Sequence, residues 1–304
     1  MKNILVRVDS SSDIGAGHIM RCLVLAKKYK KDNIVFATQN LTNNLNSEII
    51  KQNYQLINLH SNSSTEVISI IIKYKIDMII IDHYLIDHIY EQRIKEATNI
   101  TILSLDDTYK KHNCDILLNH NINADKERYK ELVPRHCILN CGKKYMLLRE
   151  EFYKERKKAM LIDKENVHIF ISMGGADVAH LNIPILEILS NISRIKIDIV
   201  TTTANKDINN LQEYIKEKKW IKLHINSNQI AKLINHSNFC ITTSSSSAGE
   251  IIFMNKPFIA IKIVDNQTNM YNYLSRNNYK VLEKFDKSIM QTYIKKLLEE
   301  TYEL

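Results

Sequence analysis

Short runs rich in Ile, Val and Leu alternate along the chain with segments whose apolar positions recur every three to four residues. This is the pattern of parallel strands joined by helices. In the first half the strand-like runs lie at 4–8, 33–37, 77–81 and 100–105, with weaker ones at 55–59 and 116–118. Helical spacing fills 18–29 and 67–74. Between Arg149 and Asn166 charged residues replace the alternation, and a new strand opens at Val167. The pattern then resumes, with strands expected at 167–172, 195–201, 221–224, 239–242 and 258–263 and helices at 182–190, 207–218 and 228–235. The chain reads as two doubly wound α/β domains, 1–154 and 155–304. In such an architecture a ligand sits in the cleft facing the carboxyl ends of both sheets.

Composition changes this picture little. At 304 residues and 44% hydrophobic, the chain is long enough for two cores. The net charge of +8 does not point to nucleic acid, because the lysines are spread along the chain rather than gathered on one element. A basic surface does favour an anionic small molecule. Five cysteines without zinc-like pairing are expected to be reduced thiols of a cytoplasmic protein. Charge at Lys2 and Arg7 cuts the first apolar run short, and no run approaches a membrane span, so no stable membrane association is expected.

Five of the six glycines fall at three strand-to-helix junctions. Such turns let a ligand approach backbone N–H groups at a helix N-terminus, which attracts anions. The first junction carries Gly15, Gly17 and then His18, with Arg21 one turn on. The positive end of the helix dipole disfavours the imidazolium, and a neutral ring can act as a general base; the plainer reading is a helix cap. At the second, Gly174 and Gly175 precede Asp177 and can meet a diphosphate or simply make a tight turn. The third runs Ser244-Ser245-Ser246-Ser247 before Gly249 and Glu250, offering phosphate donors and then a carboxylate able to accept both hydroxyls of a ribose. Asp82, His83 and Tyr84 close another strand and could each touch substrate or act as scaffold. Asp106 and Asp107 are adjacent acids at a strand end, a weak case for a divalent metal against turn formation.

Taken together, Arg7-Val8-Asp9-Ser10-Ser11 leading into Gly15-Ala16-Gly17-His18-Ile19-Met20-Arg21, then Asp82-His83-Tyr84, Asp115 to Asn119, Arg149-Glu150-Glu151-Phe152 and Met173-Gly174-Gly175-Ala176-Asp177, resemble the nucleotide-sugar hydrolases of pseudaminic acid biosynthesis. That resemblance implies a glycosyltransferase-B fold, two facing Rossmann-like domains with a central cleft. It implies His18 as the catalytic base, Tyr84 on the sugar side, Glu250 as the ribose acid and Asn266 near the cleft. It also implies hydrolysis of a UDP-sugar at the anomeric carbon with inversion, by a monomer needing neither cofactor nor metal. A glycosyltransferase of the same fold is the alternative, and a silent nucleotide-sugar binder a third reading. The segment after Tyr271 departs from the resemblance and is expected to pack back on the first domain.

Overall fold

The first strand, β1 (Asn3–Val8), lies at the centre of a seven-stranded sheet, and its neighbours show why. It is buried on both faces and pairs in parallel with β2 (Asn33–Gln39) on one side and β4 (Met78–Asp82) on the other. Between them run α1 (Gly17–Ala26), α2 (Asn46–Lys51), β3 (Gln55–Leu59) and α3 (Ser64–Lys73). Then follow α4 (His88–Thr98), β5 (Thr101–Leu105), β6 (Ile116–Asn119) and β7 (Ile138–Cys141). The strand order is β3-β2-β1-β4-β5-β6-β7, so the winding direction reverses between β1 and β4. Alternate residues of each strand feed two cores, as the two-residue period of a strand requires. Leu5, Ile79 and Ile102 pack against Val67, Ile71 and Ile94 on one face. Val6, Phe36 and Ile80 pack against Ile19, Cys22 and Ile49 on the other.

The second unit opens with α5 (Glu150–Glu155) and β8 (Val167–Ser172), then α6 (Asn182–Leu189), β9 (Ile195–Thr201), α7 (Ile208–Ile215) and β10 (Ile221–Ile225). It continues through α8 (Ile230–His236), β11 (Phe239–Thr243), α9 (Ser246–Phe253), β12 (Phe258–Ile261), α10 (Thr268–Arg276), β13 (Lys280–Leu282) and α11 (Lys287–Tyr302). Its six parallel strands are ordered β10-β9-β8-β11-β12-β13, with the reversal between β8 and β11. These assignments come from a computed structural model that describes residues 1–11, 14–15, 17–159, 163 and 165–302. Ser12, Asp13 and Ala16 of the first glycine junction therefore lie outside the described residues. No helix among the described residues is long and apolar enough to cross a membrane.

One boundary differs from the sequence reading. The units divide between Leu148 and Arg149, earlier than the expected 154. The reason is α5, whose Phe152 is fully buried and whose Glu155 carbonyl accepts a hydrogen bond from the Asn235 side chain of α8 at 3.1 Å. In the C-terminal segment, α11 places Met290, Ile294 and Leu297 in the core of the second unit, with Ile259, Ile261 and Leu282. Strand β7 and most of the polar-faced helices carried too little hydrophobic pattern to be read. Helix α4, for instance, buries only Tyr90, Glu91 and Ile94, and is set instead by its ends: Asp87 accepts from Tyr90 N, and Asn99 closes it in the left-handed conformation. Replacing Ile294 by Ala should lower the stability of the second unit by about 2–5 kcal/mol. An unchanged unfolding midpoint would remove α11 from that core.

Candidate active site

In the first unit the strand ends on either side of the reversal point carry a cluster of charged groups. Gly15 adopts φ +84°, a conformation open to glycine, and its N–H bonds Ser11 O at 2.9 Å. A Cβ at Gly15 or at Gly17 would meet nothing within 4 Å, so each of these two positions leaves room beside it. His18 follows in the first turn of α1, nearly buried. Because β1 and β4 are paired with Val8 opposite Asp82, the carboxylate of Asp82 reaches the same place. His18 Nδ1 lies 2.6 Å from Asp82 Oδ1, while Arg21 donates from Nε to Oδ2 at 2.6 Å and from Nη2 to Oδ1 at 2.5 Å. Arg21 also donates to Asp107 at 3.0 Å, and the Tyr84 hydroxyl donates to the other oxygen of Asp107 at 3.0 Å. The Tyr84 ring meets His18 edge-on, with centroids 4.6 Å apart.

The electrostatics follow from this packing. Burial alone would raise the pKa of Asp82, but the charge and hydrogen bonds of Arg21, with the bond to His18, hold it well below the usual carboxylate range. Burial and the Asp107 carboxylate push the Tyr84 phenol above its ordinary value. His120, 3.4 Å from Arg21, is depressed to about 4 by burial and by that guanidinium. His83 serves the scaffold: Nε2 lies 3.0 Å from Asp9, itself locked to Arg7 by two bonds of 2.7 Å, and Nδ1 accepts from Leu85 N. Asp106 and Asp107 do not converge on a common point. Asp106 accepts from Thr108, Lys110 N and Tyr129, and Asp107 takes Arg21 and Tyr84. No group of three metal-ligating side chains occurs among the described residues.

In the second unit, Thr242 of β11 pairs with Ser172 of β8, so the glycine turn and the serine run open side by side. Gly174 has φ +80° and open space where a Cβ would be. Gly175 is constrained by packing: a Cβ there would meet Thr202 at 3.0 Å, and its carbonyl accepts from Thr202 N at 2.9 Å. Ser245 caps α9 by accepting from Ser247 N at 3.3 Å, leaving Ser246 exposed in the first turn. Glu250 stands one turn further, with Arg149 Nη2 4.0 Å away as its charged partner. Burial raises the Glu250 pKa to about 7, Arg149 opposing the shift. Asn266 is exposed in the short turn after β12, the next strand in the sheet. Asp177 lies apart from this group. Its carboxylate accepts from Leu181 N and Asn182 N at 3.0 Å, and it lines a cavity of about 290 Å³ with His180, Asn205 and Asp207 on the β9 side. Its carboxylate therefore has a structural task at the start of α6.

No family model matches the chain. The UDP-2,4-diacetamido-2,4,6-trideoxy-beta-L-altropyranose hydrolase of Campylobacter jejuni is 41% identical over 283 residues, covering 93% of this chain and 99% of that protein. The chain belongs to this hydrolase family. Among solved structures, Acinetobacter baumannii MurG superposes with a TM-score of 0.66 at 12% identity, covering 99% of this chain and 94% of its own. The UDP-GlcNAc 2-epimerase of Methanocaldococcus jannaschii gives 0.61 at 12%, covering 97% and 92%. The fold is thus of the glycosyltransferase-B type, and the protein is a nucleotide-sugar hydrolase by family.

In this hydrolase the structure brings together His18, Arg21 and Tyr84, which the sequence reading names as candidates, with Asp82, which it favours as scaffold, and His120, which it does not name. The signal was available in the register, since strand ends adjoining across a reversal point share one site. Asp106, the neighbour of Asp107 in the chain, faces a buried network. Glu91, fully buried, accepts from Ser104 Oγ at 2.6 Å and Asn113 N at 2.5 Å, and lies 2.8 Å from His112 Nδ1. His112 Nε2 faces Asp106 at 3.9 Å, an ion-pair distance rather than a hydrogen bond. Burial opposes the charged ring, yet Asp106 and Glu91 raise its pKa to about 9, against an ordinary 6.5. Because the folded-state pKa is raised, the stabilisation is complete below pH 6.5 and is lost as pH climbs through about 9. At ~1.4 kcal/mol per pKa unit this amounts to roughly 3 kcal/mol. Denaturation midpoints should fall over that window in the wild type and flatten in His112→Gln; an equal slope in both would exclude His112 as the source.

Proposed function

We propose that the protein hydrolyses a UDP-linked 2,4-diacetamido-2,4,6-trideoxy sugar at the anomeric C–O bond, with inversion, releasing UDP and the free sugar for pseudaminic acid synthesis. The observation that carries the mechanism is the His18 ring, held on Nδ1 by Asp82 and with no hydrogen-bond partner on Nε2 among the described residues. In a chain of this hydrolase family, that nitrogen takes a proton from the attacking water. Tyr84, its hydroxyl proton committed to Asp107, offers oxygen lone pairs to a donor on the sugar. Gly15 and Gly17 provide open backbone beside His18. Gly174, Gly175, Ser245, Ser246 and Ser247 hold the diphosphate through backbone and hydroxyl donors, Glu250 takes the ribose hydroxyls, and Asn266 contacts the nucleotide. The protein works as a cytoplasmic monomer without a cofactor, and activity should survive EDTA.

Two measurements test this reading. Turnover in ¹⁸O-water should label the released sugar at its anomeric carbon and leave UDP unlabelled, with the inverted anomer first in NMR. Label in UDP would mean attack at phosphorus and end the proposal; UDP release only in the presence of an acceptor would mean a transferase. For Glu250, whose pKa is raised to about 7 from 4.5, the protonated carboxyl is the resting form below that pH and must ionise to accept both ribose hydroxyls. Uridine, which has no phosphate to titrate, should therefore bind more tightly as pH rises towards 7, by at most about tenfold per pH unit, and level off above it. Glu250→Gln should bind weakly at every pH; a pH-independent affinity in the wild type would refute the ribose assignment.

A further inference from the structure

Three buried histidines among the described residues face a carboxylate: His18 with Asp82, His83 with Asp9 and His112 with Glu91. They differ at the second ring nitrogen. His83 uses both nitrogens, and His112 Nε2 is sealed from solvent opposite Asp106. Of the three, His18 is held on one nitrogen and has no partner on the other among the described residues.

The holding group is unusual for its own surroundings. Asp82 is the last residue of β4, 1% exposed, at the point where the sheet reverses direction. A carboxylate buried so completely needs full compensation, and Arg21 supplies it through two bonds, with Cys22 Sγ donating to Oδ2 at 3.5 Å. Arg21 Nη2 also comes within 3.0 Å of His18 Nδ1, so two arrangements of the ring proton compete. If Nδ1 were unprotonated, its lone pair would face the carboxylate lone pairs at 2.6 Å, which is repulsive. With the proton on Nδ1, the ring donates to Asp82 and Nη2 keeps its own bond of 2.5 Å to the same oxygen. That arrangement leaves the lone pair on Nε2.

We infer that Asp82 is a positioning residue for the reaction: it fixes the His18 ring with its proton on Nδ1 and its basic nitrogen on Nε2, while Arg21 fixes Asp82. The inference rests on His18 being the base, as proposed above. Asp82 reaches the chemistry only through His18, so its removal acts on turnover and not on substrate binding.

A double-mutant cycle on the full chain separates this role from a structural one. Asp82→Asn should lower kcat by about 10²–10⁴-fold with KM changed only a few-fold, because a neutral partner no longer fixes the ring or stabilises its charged form. In a His18→Asn background, adding Asp82→Asn should cost less than threefold more. A full multiplicative loss in the double variant, or a wild-type rate in Asp82→Asn alone, would overturn the inference while leaving the function intact. A wild-type rate in His18→Asn would instead overturn the base assignment, and this inference with it. Should Asp82→Asn fail to fold, ¹⁵N-histidine NMR of the wild type decides. The His18 proton is expected on Nδ1, its signal assigned by loss in His18→Asn, and a proton on Nε2 would refute the inference.

Discussion

The first unit is organised around one buried charge, the Asp82 carboxylate. Placing an unpaired carboxylate where it is 1% exposed would cost several kcal/mol, more than most single contacts return. The chain meets that cost with a guanidinium on the adjoining helix, and the solution has consequences. Arg21 must lie one turn beyond His18 on the same face of α1, so the residue that neutralises Asp82 also fixes the pitch at which His18 meets it. The same guanidinium reaches Asp107 at 3.0 Å and so draws in the loop after β5, and with it the Tyr84 hydroxyl. One ion pair thereby sets the relative positions of side chains carried by three separate segments.

The second unit places polar groups at matching strand ends by other means. Its phosphate-facing candidates are small, Gly174, Gly175 and a run of serines, and the side chains there are oriented by one another: Thr243 Oγ1 donates to Ser245 Oγ at 2.8 Å, and Ser245 caps α9. Backbone donors and a helix end cost little to bury because they are already organised by the fold. This lets the turns between β8 and β11 stay free of a permanent buried cation.

Much of the fold was legible because burial on both faces of a parallel sheet writes near-continuous Ile and Val runs into the sequence. The central strands β1, β4, β5, β8 and β11 were therefore read correctly. Strands β7 and β13 lie at sheet edges, where one side is unpaired and the apolar run is short, and they left no comparable trace. His18 and Tyr84 could be found because they stand in short motifs beside strands. Asp82 was seen but weighed as scaffold, since its importance lies in a partner 64 residues away that only the β1–β4 register brings near. Asp177 stands beside a glycine turn in sequence, but its bonds to the N–H groups of Leu181 and Asn182, four and five residues on, left no trace that could be read there.

Asp82 and Glu250 show how one residue type at similar places can be set to different tasks. Both carboxylates are desolvated, which raises the pKa of each. Asp82 recovers more than it loses because Arg21 contacts both its oxygens, so it stays ionised and is fully occupied by its partners. Glu250 has, among the described residues, Arg149 at 4.0 Å as its charged partner, a guanidinium already engaged with Glu151 at 2.9 Å, and its charge remains undercompensated near pH 7. A carboxylate satisfied by its own protein can hold another side chain in place but has nothing left for a ligand. One that is half-buried and unsatisfied gains most from new hydrogen-bond donors, and a ribose carries two of them on adjacent carbons. The difference in pairing suits Asp82 to the protein's internal order and supports the proposal that Glu250 takes the ribose.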